Sequence, residues 1–145
     1  MICLLQRASH GQVTVNQSII GQIGQGLVVL VGFQPNDDLV KLDKMAQKML
    51  NYRLFSDTDG KMNLNVQQVD GDLPLVPQFT LAADTHSGLR PSFSSSAKPE
   101  LARKLFHEFI ALVETKYKEP KTGEFGADMQ VSLTNDGPVT FWLEV

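Results

Sequence analysis

The hydrophobic residues of the chain fall into two helical stripes separated by strand-like segments. The first stripe repeats every three to four positions and consists of Leu42, Met45, Ala46, Met49 and Leu50. This spacing places its members on one face of a helix, which is predicted over residues 37–52. A second stripe follows Pro99, a residue suited to the first turn of a helix because its missing N–H needs no partner there. Its members are Leu101, Ala102, Leu105, Phe106, Phe109, Leu112 and Val113.

The other apolar residues alternate with polar ones or form short runs, which is typical of β-strands. Strands are predicted over 2–7 and 12–15, joined by a hairpin turn at "ASHG", with a weaker strand over 18–23. Residues 27–31 are apolar throughout and predict a central strand that is covered on both faces. The later segments predicted to be extended are 73–81, 126–133 and 139–145.

This order of elements predicts an α/β fold with the sequence β-β-β-α-β-α-β-β. The 145 residues suit one domain over 1–145, and no linker or repeat divides them. We expect a mixed sheet with both main helices on one side. Two helices cannot cover both faces of about seven strands, so a second sheet layer or a dimer partner is also expected.

Composition narrows the classes of protein that the chain can represent. The net charge of −3 argues against a protein that coats nucleic acid, since such a protein needs a basic face. Neither a signal peptide nor an apolar run long enough for a membrane span is present, so a cytoplasmic location is expected. The single cysteine, Cys3, lies in an apolar segment and is expected to be buried and inert.

Common catalytic motifs are missing. The three histidines are scattered without ligand spacing, so no metal is expected. The sequence has no G-x-S-x-G elbow, no P-loop and no dinucleotide-binding fingerprint, so no cofactor is expected either. Three motifs remain without an assigned chemistry, namely "PQFTLAAD", "GLRPSF" and "ADMQVSLTNDGPVTF". Thr80, within the first motif, is by itself an ordinary strand residue.

These motifs, together with "RLFSD", "KMNLNVQQ" and Gln6-Arg7, resemble the bacterial D-aminoacyl-tRNA deacylases, formerly called D-tyrosyl-tRNA deacylases. The resemblance extends over the whole chain and keeps the order of the motifs. It implies a homodimeric hydrolase that removes D-amino acids and glycine from tRNA. It also implies a three-layer β/β/α sandwich, with the active site at the dimer interface.

The resemblance assigns roles to particular residues. The family's Ser-Gln-Phe-Thr motif corresponds to Pro77, Gln78, Phe79 and Thr80. Its Gly-Pro motif, which has a cis peptide and reaches into the partner's pocket, corresponds to Gly137 and Pro138. Further pocket residues implied by the resemblance are Arg7 and Met129.

One position departs from the family. Pro77 stands where the family has serine, so any role of that hydroxyl is missing in this chain. Proline also lacks a backbone donor and holds Val76 extended, which would brace the segment that presents Phe79 and Thr80.

Two mechanisms are open for ester hydrolysis. In one, backbone N–H groups of Phe79 and Thr80 stabilise the oxyanion, while the 2′-hydroxyl of the terminal ribose of tRNA activates water. In the other, the Thr80 hydroxyl is the nucleophile. The first is favoured because no neighbouring residue in the sequence has an evident role as a base. In either mechanism, a rigid Gly137-Pro138 wall would exclude L-residues by steric clash.

Contact with RNA is expected to be local, at the 3′ end of the aminoacyl-tRNA. Four basic residues in and after the polar loop are candidates for phosphate contacts: Arg90, Lys98, Arg103 and Lys104. A solvated helix face explains them equally well. The alternative from another functional class is a non-catalytic module that binds tRNA or amino acids.

Overall fold

The computed structural model describes residues 1–145. The strands β1 to β8 lie at Ile2–Val15, Ser18–Ile23, Gly26–Gly32, Phe55–Ser56, Met62–Leu64, Pro74–Pro77, Lys121–Thr122 and Met129–Glu144. The helices α1 and α2 lie at Leu39–Asn51 and Pro99–Lys116, and a 3₁₀ helix covers Phe79–Ala82. Neither α-helix combines the length and the apolar character needed to cross a membrane.

The main sheet has six strands and is mixed, as predicted. Strand β1 pairs along its whole length with antiparallel β8 on one edge. On its other edge the first half of β1 pairs with β3 and the second half with β2, both antiparallel. The parallel pairs β3–β6 and β6–β7 complete the sheet, while β4 and β5 form a separate two-stranded sheet.

The two faces of β3 show how the layers are stacked. Leu27, Val29 and Val31 are buried in the core that both α-helices share. The alternate residue Val28 points the other way and packs in a second cluster with Ala8 and Ile23. A methyl group on Gly11 would meet the Val28 and Ile23 side chains, so the second half of β1 lies over β3. The expected second sheet layer is therefore present and comes from the far ends of the long strands.

The predicted hairpin turn at "ASHG" is wrong, because β1 continues through these residues. The turn lies farther on, at Asn16 and Gln17, whose φ angles are 47° and 64°. Pairing with β8 keeps β1 continuous, and the turn-forming residues are accommodated by irregular register between Gln6 and His10. Likewise, the two predicted C-terminal strands are one strand, β8, with a local loop at its centre.

The predicted extended segment 73–81 is only partly extended. Strand β6 ends at Pro77, and the chain then forms the 3₁₀ helix, in which Leu81 N donates to Gln78 O at 3.2 Å. The predicted helices agree with α1 and α2 to within two residues. Asp38 caps α1 by accepting from Lys41 N at 2.9 Å.

Candidate active site

A cleft of about 660 Å³ opens between the end of β6, the start of α2 and the start of β8. Most of its lining is apolar. The lining residues that belong to the three motifs are Pro77, Gln78, Phe79, Phe93, Ala127, Met129 and Val131. The cleft is therefore where the structure joins the "PQFT", "RPSF" and "ADMQ" segments, which are far apart in the sequence.

The segment at the cleft is fixed by the edge of the sheet. Pro77 pairs with Val31 in the parallel register, and Gln78 N donates to the Val31 carbonyl at 2.7 Å. Phe79 and Thr80 then begin the 3₁₀ helix, so their N–H groups have no acceptor within that helix. Two backbone donors are thus left at the start of this turn.

Phe79 is 57% exposed, although its side chain is large and apolar. It contacts the Phe93 ring with a centroid distance of 5.0 Å. The serine-rich loop is held against the same turn, because Ser95 Oγ donates to Ala82 O at 2.6 Å. Ser96 Oγ also donates to Phe79 O, at 3.4 Å. These contacts fix the outer wall of the cleft.

Thr80 does not line this cleft. Its side chain lies at a neighbouring cavity of about 610 Å³, which Trp142 and His86 also line. The Thr80 hydroxyl accepts a hydrogen bond from Gln78 Nε2 at 2.5 Å, and it contacts no histidine, lysine or carboxylate by a hydrogen bond. No base is therefore hydrogen-bonded to the Thr80 hydroxyl, although His86, Asp84 and Glu144 line the same cavity.

The Gly137–Pro138 peptide bond is cis, as the resemblance implies. Both residues are exposed, in a loop at the centre of β8. The register pairs Gln6 with Thr140 and Ala8 with Asn135, so the four residues 136–139 lie opposite the single residue Arg7. We refer to residues 136–139 as the Gly-Pro loop.

Glycine is required at position 137. Its φ angle is 134°, which is strained for residues with a side chain. A Cβ there would lie 2.7 Å from Val139 Cγ2 and 3.1 Å from Arg7 Nη2. The shape of the loop therefore depends on the close approach of the Val139 and Arg7 side chains to the Gly137 backbone.

Arg7 attaches the Gly-Pro loop to the body of the protein. Its Nε donates to Asp136 O at 2.9 Å, and its Nη1 donates to Leu54 O at 2.8 Å. On the other side of the loop, Asn135 Oδ1 accepts from Val139 N at 2.8 Å. These bonds hold the exposed loop in one shape.

Apart from Thr80, which lies at the neighbouring cavity, the implied site residues form two separate groups within one chain. Pro77, Gln78, Phe79 and Met129 meet at the cleft. The second group, Arg7 with Gly137 and Pro138, contributes nothing to the cleft lining of its own chain.

The four basic residues that are candidates for phosphate contacts also lie in different places. Lys98 lines the cleft, and the Arg103 guanidinium lies 5.0 Å from the centroid of the Phe125 ring, which lines it too. Lys104 instead lies near Glu108 on α2, at 3.9 Å. Arg90 is exposed in the loop before α2 and has no ion pair. Of the four basic candidates, Lys98 alone lines the cleft, and Arg103 stacks on the Phe125 ring beside it.

Two aromatic cleft residues received no role from the sequence. Phe93 belongs to "RPSF" and Phe125 to "EFGA", and both motifs contain an aromatic residue next to small residues. An aromatic residue next to small residues is the sequence feature that could have marked these two positions as cleft residues. The one thiol, in contrast, lies away from the site, and burial raises the pKa of Cys3 far above its usual range.

The chain is similar to known proteins along nearly its whole length. The family model described as D-Tyr-tRNA(Tyr) deacylase matches residues 4–144. A D-aminoacyl-tRNA deacylase of Hydrogenovibrio crunogenus is 66% identical over 148 aligned positions, 99% of each chain. A protein of the same name from Histophilus somni is 61% identical over the full length of both chains.

Two solved structures have the same fold. The c-Myc DNA unwinding element binding protein superposes with a TM-score of 0.96 at 36% identity, over 100% of this chain and 99% of that one. A probable eukaryotic D-amino acid tRNA deacylase has a TM-score of 0.86 at 17% identity, over 99% and 98%, which shows the fold alone. The match of the family model over nearly the whole chain, with relatives above 60% identity, shows that the chain belongs to the D-Tyr-tRNA(Tyr) deacylase family.

Proposed function

We propose that the protein hydrolyses the ester bond of D-aminoacyl-tRNA, and of mischarged glycyl-tRNA, in the cytoplasm. The products are the free amino acid and tRNA. The observation that carries this proposal is the cleft that joins Gln78, Phe79 and Met129, in a chain of this family. Its apolar lining, and the backbone donors that begin the adjoining 3₁₀ helix, suit a small ester more than a long stretch of RNA.

The active site is proposed to need two copies of the chain. Gly137 and Pro138 are exposed and rigidly held, yet they are absent from the lining of their own chain's cleft. Large apolar side chains on the sheet are also exposed, with Trp142 at 51% and Ile19 at 56%. A homodimer in which each Gly-Pro loop covers the partner's cleft accounts for both observations.

Selection of D- over L-aminoacyl groups would then come from the backbone of the Gly-Pro loop. The α-carbon of an amino acid carries a hydrogen, an amine and a side chain, and a rigid wall that admits only the hydrogen on one side rejects L-residues by clash. Glycine is accepted because it has no side chain to clash. Gly137 and Pro138 suit this role since the loop is held by Arg7 and Asn135.

The ester needs little chemical help from side chains. Water attacks the carbonyl carbon, the oxyanion accepts from the Phe79 and Thr80 N–H groups, and the bond to the ribose oxygen then breaks. The 2′-hydroxyl of the same ribose assists the transfer of the water's proton to the departing oxygen. A nucleophilic Thr80 is the less favoured alternative, because Gln78 is the only hydrogen-bond partner of its hydroxyl.

The terminal phosphates of tRNA would lie near Lys98, with Arg103 beside them. Arg90 and Lys104 lie in the adjoining loop and helix and would contribute less specifically.

The deciding experiment is a deacylation assay with D-Tyr-tRNA, L-Tyr-tRNA and Gly-tRNA under the same conditions. Rapid release of D-tyrosine and glycine, with L-tyrosine retained, is the expected result. Binding of tRNA without release of any amino acid would contradict the proposal and favour a non-catalytic binding module.

The two-copy site has its own test, in which two inactive variants are mixed. Gly137→Ala disables the loop, and Met129→Trp fills the cleft. After subunit exchange, heterodimers with one intact site should restore about a quarter of wild-type activity. No recovery, with heterodimers demonstrated by mass spectrometry, would place the whole site within one chain.

A further inference from the structure

Gly123 lies directly behind the wall of the cleft and has no role so far. It follows the short strand β7, and its N–H donates to Leu75 O at 2.8 Å, which continues the pairing with β6. It is buried and does not line the cleft itself. Its backbone is therefore held in place by the sheet.

The side of Gly123 that lacks a side chain faces two cleft residues. A Cβ at this position would lie 2.8 Å from Met129 Sδ and 3.1 Å from Pro77 Cδ. It would also lie 3.3 Å from Val76 Cγ1. Real Cβ atoms do not approach sulfur so closely, so a methyl group here must displace a neighbour.

The three neighbours differ in how easily they can move. Pro77 is a rigid ring in a paired strand, and Val76 is buried in that strand. Met129 has an unbranched, flexible side chain that adapts readily to its surroundings. Met129 lines the cleft, so its displacement changes the shape of the cleft rather than the core.

We propose that Gly123 is a positioning residue, whose missing side chain lets Met129 close the floor of the cleft against Pro77. The inference rests on the proposed deacylase function for its kinetic consequence. Gly123 touches no substrate, and it acts through the Met129 side chain alone. Its glycine is required for space, since its φ angle is not in the positive region.

The test measures kcat and KM for D-Tyr-tRNA with Gly123→Ala, Met129→Ala and the double variant. Gly123→Ala should lower kcat/KM by about 10- to 100-fold, mainly through KM, because the displaced Met129 obstructs the cleft. In the Met129→Ala background, adding Gly123→Ala should change nothing further. Gly24→Ala is the matched control, since a Cβ there meets nothing within 4 Å, and it should leave both constants unchanged.

A spectroscopic measurement separates this inference from the proposed function. The Met129 methyl resonance should shift in Gly123→Ala, while the midpoint of thermal unfolding changes by only a few degrees. This readout holds whether or not the wild type releases D-tyrosine. The proposal would be overturned if the losses in kcat/KM of the two single variants multiply in the double variant. It would also be overturned if the Met129 resonance does not move, or if Gly123→Ala does not fold.

Discussion

The cleft and the Gly-Pro loop, both assigned to one active site, are built in opposite ways. The cleft is a product of packing, in which Pro77, Phe93 and Met129 meet across three distant segments. The loop is exposed and is held by polar bonds, with Arg7 joining the carbonyls of Asp136 and Leu54. A shape that is held by packing tolerates the loss of single polar atoms, whereas a shape held by a few hydrogen bonds does not.

This difference orders the expected effects of substitution. Changes that alter the backbone of the loop should be the most damaging. Loss of the Arg7 hydrogen bonds to the loop should come next, followed by reversal of the Lys98 charge at the cleft. Loss of the Thr80 hydroxyl should have the smallest effect.

Gly137→Ala is expected to have the largest effect, with a loss of at least about 100-fold in kcat/KM for D-Tyr-tRNA. The added methyl is incompatible with the φ angle of 134° and with Val139 Cγ2 at 2.7 Å, so the loop must change shape. Steady-state deacylation assays measure this loss. Ser132→Ala, an exposed position on the same strand, is the control and should behave as wild type. Full activity of Gly137→Ala would show that the loop is not part of the active site.

Arg7→Lys should lower kcat/KM by about 10- to 30-fold, which corresponds to one lost charge-assisted hydrogen bond. Lysine keeps the charge but cannot join the Asp136 and Leu54 carbonyls with the geometry of a guanidinium. Kinetics and thermal unfolding should be measured together. A drop in unfolding temperature without a change in kcat/KM would show that Arg7 stabilises the fold and leaves the loop's function untouched.

Lys98→Glu should raise KM by up to about tenfold and reduce the dependence of KM on salt, because one phosphate contact is lost. Lys98 lines the cleft. The matched control is Lys104→Glu, a reversal within helix α2, which begins directly after Lys98; the Lys104 side chain lies 3.9 Å from Glu108 and away from the cleft. Equal effects of the two reversals would indicate a general electrostatic attraction in place of a specific contact.

Thr80→Val should have the smallest effect, below about fivefold in kcat, if the hydroxyl is not the nucleophile. Valine keeps the shape and the backbone N–H but removes the acceptor for Gln78 Nε2. Single-turnover rates with D-Tyr-tRNA measure the effect on the chemical step most directly. A loss of about 1000-fold would instead support covalent catalysis by Thr80.

Local patterns predicted the helices well and the long strands poorly. The apolar stripes at Leu42–Leu50 and after Pro99 gave both helices to within two residues, because helical periodicity is a property of neighbouring positions. "ASHG" contains ordinary turn residues, yet it lies inside β1. There, pairing with β8 outweighs the local preference for a turn, and that pairing joins residues more than a hundred positions apart.

For this protein, the sequence by itself determined the α/β class, the two helices and the motifs that identify the family. The tertiary structure decided how those motifs are distributed: Phe79 and Met129 line a cleft, Thr80 lies beside it, and Gly137 with Pro138 stands apart on a loop that Arg7 holds. The physical reason is the separation along the sequence of the residues that interact. Periodicity and motifs are written in adjacent residues, whereas the shape of a cleft depends on which distant strands pair, and on gaps such as that at Gly123 that appear only when they do.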